Sequence, residues 1–356
     1  MNTTSLFVKQ ILTTIGICII LFLETSVGNA QLPNPEIKSG TARVSGKVLY
    51  YQEAVNISPT VFLIVFNPLT AEKGRTYETV LKKDGSFYFE VPVECNYTLG
   101  YFGLAMIGLA AGEETRLEVI PHATDPTINM TGSIKFVSYD ALNINKVLQK
   151  VIYDSPRPPD SVFVKVKCPE DFVYNSMIRL DDKLMLVENE TGLSEIAKRH
   201  IMREIKLVML DGRFLKYQQL MHIDYLNSLP AEERDKAREH YVRPPEPGRS
   251  YYSFLKYFDL NDPQYLYCET YPLVLRTLLA NETLNIPDIG DTPVDKWLKG
   301  VKAILSDLVG SDTGLFYEML ASIAYSKQFI NGLRPLSDRQ KENITRYFKN
   351  KEISKI

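Results

Sequence analysis

The sequence is poor in the side chains that reactive sites use most often. Its 356 residues include only four cysteines, four histidines and one tryptophan. It has no excess of basic residues either, because 41 Lys and Arg face 43 Asp and Glu and leave a net charge of -2. A protein that binds nucleic acid needs basic groups to neutralise phosphates. The composition therefore predicts no nucleic-acid partner.

Two common catalytic loops are also missing from the sequence. No Gly-rich phosphate-binding loop occurs along the chain. The segment Gly248-Arg249-Ser250 lacks the second glycine that a nucleophile elbow requires, and it lies in a Pro-rich stretch. The sequence accordingly predicts no catalytic residue and no cofactor.

The cysteines do not form a disulfide pattern. Cys18 lies near the N-terminus, and Cys95, Cys168 and Cys268 are far apart in the sequence, none of them in Cys-x-x-Cys. Three cysteines in a mature chain leave at least one thiol unpaired or paired with another molecule. We expect isolated, buried thiols rather than a disulfide framework, and no disulfide reduction by this chain alone.

A short apolar run near the N-terminus indicates export. Ile11–Leu23 has 13 residues and follows Lys9, whereas a bilayer span needs about 20. Gly28 and Ala30 then supply small residues at the two positions that a signal peptidase reads. The pattern predicts a signal peptide over residues 1–30, cleaved near Ala30, a periplasmic or cell-envelope location and no transmembrane span after cleavage. A retained anchor is the alternative.

The first third of the mature chain shows strand periodicity, centred on residues 81–92. Asp84-Gly85 is typical of a tight turn. Phe87, Phe89 and Val91 alternate with polar residues after it, which predicts a strand with one apolar face. We expect residues 77–81 to pair with that strand as a hairpin. Further strands are predicted in five places: 42–50, 61–66, 95–102, 115–120 and 134–137.

From Asp140 onward the pattern becomes helical. An apolar stripe runs through residues 193–210. Asp312 is expected to cap a helix over residues 314–331, and Ser337-x-x-Gln340 predicts a capping box before the last helix. Strands followed by helices predict an α+β protein. The expected domains are an N-terminal antiparallel β-sandwich over residues 31–138 and an all-helical domain over residues 139–356.

Several segments resemble one known family. They are residues 44–48 (Val-Ser-Gly-Lys-Val), 84–92 (Asp-Gly-Ser-Phe-Tyr-Phe-Glu-Val-Pro), 112–119 (Gly-Glu-Glu-Thr-Arg-Leu-Glu-Val) and 333–340 (Leu-Arg-Pro-Leu-Ser-Asp-Arg-Gln). The chain from about residue 41 to 356 resembles the N-terminal β-domain and the helical region of TlpA-like thiol-disulfide oxidoreductases of Gram-negative envelopes. In that family a thioredoxin-like domain with Trp-Cys-x-x-Cys follows. No position here matches that motif, so the resemblance implies a thioredoxin-like partner and no catalytic residue.

Two local motifs have simple structural explanations. Asp312-Thr313-Gly314 matches the aspartic-protease motif, but that chemistry needs two carboxylates sharing a proton, and no second copy is present. His200 and Glu204 lie four apart on one helix face, yet a zinc site needs three or four ligands. We expect a helix cap at the first motif, a solvated helix pair at the second, and no metal site.

The region from Tyr251 to Tyr271 is crowded with aromatic residues. Tyrosine combines apolar area with a polar tip, which suits a sugar-binding or protein-binding face. Packing between helices is the alternative explanation for these rings. The candidate partner-binding residues are Tyr251, Tyr252, Tyr257, Tyr265 and Tyr267.

The sequence thus leaves two functional hypotheses and a third, weak one. The first is a non-catalytic envelope protein that holds or positions a thioredoxin-like domain or another envelope protein. The second is a stand-alone module that binds a glycan or a peptide. A hydrolase, the third, lacks an assembled set of catalytic residues.

Overall fold

The computed structural model describes most of the chain. The described residues are 32–51, 58–70, 74–121, 127–154, 168–227, 229–240 and 247–348. The predicted signal peptide, residues 1–30, lies outside them, and so does the Pro-rich stretch 155–160.

Eight strands come first and form two sheets of four. The first sheet has the order β4-β1-β7-β8, and the second has the order β3-β2-β5-β6. The strands are β1 (Ile37–Val48), β2 (Thr60–Val65), β3 (Arg75–Val80), β4 (Ser86–Cys95), β5 (Tyr97–Phe102), β6 (Ala105–Ala110), β7 (Glu114–Ile120) and β8 (Thr127–Thr131).

Apolar side chains between the sheets make a sandwich core. Phe87, Phe89 and Val91 are all buried, which confirms the predicted apolar face of β4. Phe87 stacks on Phe102 of the second sheet with ring centroids 4.8 Å apart. A sheet with one apolar face is stable only when another layer covers that face, and these rings provide the contact.

The predicted hairpin across Asp84-Gly85 is wrong. The turn itself forms, with Gly85 at φ 80° and the Gly85 N–H donating to the Lys82 carbonyl at 2.8 Å. However, β3 pairs with β2, while β4 pairs with β1. The turn therefore carries the chain from one sheet to the other. A turn signal is local, and it does not determine which strands the flanking segments will pair with.

Two further strand predictions are corrected. The sheets are not purely antiparallel, because β1 pairs in parallel with β7 from Arg43↔Glu114 to Val48↔Val119. Residues 134–137 do not form a strand; the last strand is β8. Ile134 is nevertheless buried against Gly108, where an added Cβ would lie 2.1 Å from the Ile134 Cβ. The segment after β8 thus covers β6 with side chains instead of pairing with it.

Helices follow the strands, which confirms the α+β class. The α-helices of the described part are α1 (Ser138–Gln149), α2 (Pro169–Glu188), α3 (Glu195–Gly212), α4 (Tyr217–Asn227), α5 (Ala231–His240), α6 (Tyr271–Leu279), α7 (Val294–Val309), α8 (Leu315–Gly332) and α9 (Asp338–Tyr347). A π-helical turn spans Lys150–Asp154, and 3₁₀ helices span Phe214–Lys216, Arg249–Phe258 and Pro263–Tyr267. Among these helices none has the length and the apolar character needed to cross a bilayer.

The two predicted helix starts had different outcomes. The capping box of α9 is confirmed: Ser337 Oγ accepts from the Gln340 N–H at 3.1 Å, and Gln340 Oε1 accepts from the Ser337 N–H at 2.9 Å. The predicted cap of α8 by Asp312 is wrong. Gly314 occupies the N-cap position, and Asn261 Oδ1 accepts from the Phe316 N–H at 3.0 Å. The cap of α8 comes from a residue more than fifty positions earlier.

The sandwich and the helices are joined by side-chain hydrogen bonds. The described residues from Pro33 onward belong to one compact unit. The Tyr267 hydroxyl donates to the Pro33 carbonyl at 2.8 Å, and the Ser322 hydroxyl donates to the Leu69 carbonyl at 3.1 Å. Buried carbonyls need such partners, and these two bonds tie the helical part to the segments that precede β1 and follow β2.

Candidate functional site

The candidate tyrosines are mostly buried. Tyr251, Tyr252, Tyr265 and Tyr267 all belong to the core, and Tyr252 is only 2% exposed. Tyr257 is 67% exposed and is the one of the five whose ring a partner can reach in this structure.

A 3₁₀ helix explains this burial. With three residues per turn, positions i and i+3 lie directly above one another. Along Arg249–Phe258 the buried residues follow that period: Tyr251 and Phe254 form one row, and Tyr252, Leu255 and Phe258 form another.

The buried hydroxyls are satisfied by distant backbone carbonyls. Tyr251 donates to the Phe214 carbonyl at 2.8 Å, and Tyr265 donates to the Phe258 carbonyl at 2.6 Å. A buried hydroxyl without a partner is costly, so these bonds make tyrosine suitable for the helical core. The cluster is chiefly a packing element.

His200 and Glu204 form no solvated pair, and that prediction is wrong. His200 is 3% exposed and Glu204 is 8% exposed, both on α3. Helical spacing contained the signal: Glu204 lies three residues after Ile201 and four before Val208, on the apolar stripe. Since that stripe packs inward, the carboxyl group is carried into the interior.

The buried pair lines a cavity of about 160 Å³ between the sandwich and the helices, which we call the sheet–helix cleft. Its walls come from several elements. Tyr101 of β5 lies on the sheet side, Asn145 and Leu148 come from α1, and His200 and Glu204 come from α3. Further lining residues are Phe66, Met106, Gln149, Tyr153, Tyr267 and Glu269.

Only one of the two carboxyl oxygens of Glu204 has hydrogen-bond partners among the described residues. Its Oε1 accepts from the Thr270 N–H at 3.1 Å and also from the Thr270 hydroxyl. Its Oε2 is buried and has no hydrogen-bond partner among the described residues. A buried polar atom without a partner costs about 1–3 kcal/mol, which makes this oxygen the most unusual polar atom of the cleft.

Burial controls the protonation states around this carboxyl. Loss of solvation raises the pKa of Glu204, and the charge of Glu269 adds to the effect, while Thr270 and the Cys268 thiol oppose it. Burial lowers the pKa of His200 to about 4, with a further contribution from Arg203. Near neutral pH the His200 ring is therefore uncharged, and Glu204 is shifted toward its neutral acid.

A second pair of cleft residues supplies hydrogen-bonding capacity. The Tyr101 hydroxyl donates to Asn145 Oδ1 at 2.6 Å. That bond orients the Asn145 side chain and leaves its amide NH₂ as a donor at the cleft wall. Burial is also the main cause of a strongly raised pKa for Tyr101, so its hydroxyl stays protonated.

None of the three described thiols has the environment of a nucleophile. Cys95 and Cys268 are buried, and burial raises the pKa of Cys95 to about 12 and that of Cys268 well above its usual range. For Cys168 the Asp171 backbone N–H lowers the thiol pKa, but acidic neighbours outweigh it and the net shift is upward. Reactive cysteines have the opposite property, a depressed pKa.

The other candidate motif stays at the surface. Asp312 is exposed in the loop before α8. No group of three or more His, Cys, Asp or Glu side chains able to hold a metal occurs in the part of the chain described here. The sheet–helix cleft is thus the candidate site. The sequence singled out three of its residues: His200 and Glu204, which were predicted to face solvent, and Tyr267, which was predicted to face a partner.

Comparison with known proteins returns no relative: the chain matches no protein-family model, no curated protein and no solved structure.

Proposed function

We propose that this chain is a non-catalytic binding protein of the cell envelope, and that the sheet–helix cleft takes up one small polar group of a peptide or glycan ligand. The observation that carries the proposal is Glu204 Oε2, which is buried beside the cleft and has no hydrogen-bond partner in the described part of the chain. A ligand that supplies a hydrogen-bond partner recovers a cost of about 1–3 kcal/mol.

The groups around that oxygen favour binding over reaction. Covalent catalysis needs a nucleophile with a depressed pKa or an adjacent base, and burial raises the pKa of the Cys268 thiol instead. An efficient general base has a pKa near the working pH, whereas the pKa of His200 is lowered to about 4. These side chains suit recognition of a ligand.

A plugged cleft tests the proposal. Leu148 lines the cavity, so Leu148→Trp is expected to fill it. The purified protein is screened by thermal shift against N-acetylated amino-acid methylamides and methyl glycosides at millimolar concentration. At least one compound class should raise the melting temperature of the wild type and not that of Leu148→Trp.

The matched control is Leu104→Trp, because Leu104 is 71% exposed and is not one of the cleft-lining residues. This variant should respond like the wild type. A screen without any stabilising compound, or a plugged variant that responds normally, contradicts the proposal.

A second function, positioning of a thioredoxin-like partner, is favoured by the state of the thiols. Buried Cys95 and Cys268 have raised pKa values, so an active dithiol would have to come from another domain or another protein. The resemblance of residues 41–356 to TlpA-like reductases suggests a thioredoxin-like domain in that role. The exposed Tyr257 ring is the contact point that we assign to it.

The partner hypothesis is tested by titrating the protein with a separately produced thioredoxin-like domain that carries Trp-Cys-x-x-Cys. Binding should be measurable and should weaken in Tyr257→Ala. With dithiothreitol, the chain alone should not reduce insulin. Absence of binding, or insulin turnover that disappears in Cys168→Ser, contradicts this second function.

A further inference from the structure

The charges that line the sheet–helix cleft have one sign. Glu204 lies in its wall and Glu269 at its exposed side, and no Lys or Arg occurs among the described lining residues. The nearest basic side chain of α3, Arg203, is engaged by Asp262 at 2.7 Å. The described lining residues of the cleft thus include two acidic side chains and no basic one.

The walls of the cleft are largely aromatic. Tyr101, Tyr153, Tyr267 and Phe66 all contribute to them. Phe66 and Tyr101 stand edge to face with ring centroids 5.2 Å apart. Aromatic faces attract cations through the negative potential of the ring, and they also cover the methylene groups of a long basic side chain. The aromatic walls and the acids therefore favour the same kind of ligand.

The size of the cleft limits what can enter. A volume of about 160 Å³ corresponds to roughly five water molecules at about 30 Å³ each. Sites for drug-sized ligands usually have about 300–1,000 Å³. The cleft thus has room for one side chain, and an oligosaccharide is too large for it.

Glu204 is placed to provide the counter-charge. Because Oε1 already accepts two hydrogen bonds from Thr270, Oε2 is the oxygen that can carry a proton or accept a hydrogen bond from a ligand. The other titratable groups that face this carboxyl are His200 on its own helix, Cys268 and Glu269 after the 3₁₀ helix, and Tyr101 on β5. Glu269 is the acidic side chain among them, and its charge helps to raise the pKa of Glu204.

We infer that the sheet–helix cleft binds the cationic end of a lysine or arginine side chain of a peptide, with the Glu204 carboxylate as its counter-ion. This inference rests on the proposed binding function and specifies its ligand. On binding, the O–H bond of Glu204 breaks, the proton passes to solvent, and Oε2 accepts a hydrogen bond from the ammonium or guanidinium group. The ligand enters with its charge and the protein loses one proton, so the charges balance.

Calorimetric titration distinguishes this ligand from neutral ones. The probes are N-acetyl-lysine methylamide, N-acetyl-arginine methylamide, the uncharged N-acetyl-norleucine methylamide and a methyl glycoside. At least one basic probe should bind about tenfold or more tightly than norleucine, because only a cation satisfies the buried carboxylate. Titrations at pH 5 in two buffers of different ionisation enthalpy should show proton release with the basic probe and none with the others.

Matched variants tie the effect to the cleft. Glu204→Gln keeps the shape and the bonds from Thr270, and it should lose the tenfold preference and the proton release. Glu269→Gln alters an exposed residue, so we expect the fold to be kept. The preference for a basic probe over the norleucine probe should fall by about two- to threefold in this variant, as expected for an exposed charge. Glu118→Gln, an exposed change on β7 outside the cleft lining, should behave like the wild type.

Each outcome decides between the proposals. Equal binding of the lysine and norleucine probes, or binding of the glycoside alone, overturns the cation inference and leaves the proposed binding function standing. Proton release that persists in Glu204→Gln also overturns the inference. Absence of binding by all four probes overturns both.

Discussion

The carboxyl group of Glu204 is fixed by Thr270, a residue 66 positions later in the chain: Oε1 accepts hydrogen bonds from both the backbone N–H and the hydroxyl of Thr270. This contact joins α3 to the start of α6. It also determines which oxygen of Glu204 stays available at the cleft, and so it links the packing of the helices to the proposed ligand site.

Removal of the Thr270 hydroxyl should destabilise the protein. Thr270→Ala deletes one of the two donors to a buried carboxyl oxygen, and we expect a loss of about 1–3 kcal/mol in the free energy of unfolding. Urea denaturation measures it. Thr191→Ala, at an exposed loop position, should change stability by less than about 0.5 kcal/mol. Equal effects of the two substitutions would show that the Thr270 hydroxyl contributes nothing.

Glu204 should make the protein less stable as the pH rises. Its pKa in the folded protein is raised by burial, so the folded state holds this proton more tightly than the unfolded state. Stability from this group is fully present below the ordinary glutamate pKa, and it is lost as the pH rises through the raised value. Glu204→Gln should therefore gain stability relative to the wild type between pH 4.5 and pH 8. A constant difference across that range argues against the raised pKa.

His200 should make the protein less stable as the pH falls through the acidic range, which is the opposite pH dependence from that of Glu204. Burial lowers its pKa to about 4, so the unfolded state binds the proton more readily. Stability is complete above the unfolded pKa of about 6.5 and falls as the pH drops toward 4, by roughly 3 kcal/mol. His200→Gln should flatten this part of the urea-denaturation profile. If the slopes of wild type and variant match between pH 6.5 and 4, His200 is not buried as described.

Two tyrosines five residues apart should respond very differently to truncation. Tyr252 is 2% exposed and its hydroxyl accepts from Asn281 Nδ2 at 2.9 Å, so Tyr252→Ala should cost about 3–5 kcal/mol as a large-to-small core change. Tyr257 is exposed and contacts Lys256, 5.4 Å from the ring centroid. Tyr257→Ala should cost less than about 1 kcal/mol. Thermal or urea unfolding of both variants checks the contrast, and similar losses would refute the 3₁₀ packing arrangement.

Local features of this protein were predictable from its sequence. The period-two pattern of Phe87, Phe89 and Val91 determined the buried face of β4, because alternate residues of any strand point to opposite sides. Ser337 and Gln340 determined the start of α9, because both partners of a capping box lie within one turn. The succession of strands and then helices followed from the same kind of short-range pattern, and it established the α+β class.

Tertiary structure decided the features that join distant residues. The partner of β3, the parallel pairing of β1 with β7, and the cap of α8 by Asn261 depend on contacts far apart in the chain. The cleft depends on them too, because Tyr101, Asn145 and Glu204 belong to different elements. Sequence periodicity reports which side of an element is apolar. It does not report which other element covers that side, and this pairing decided that four of the five candidate tyrosines are core residues and that Glu204 is buried.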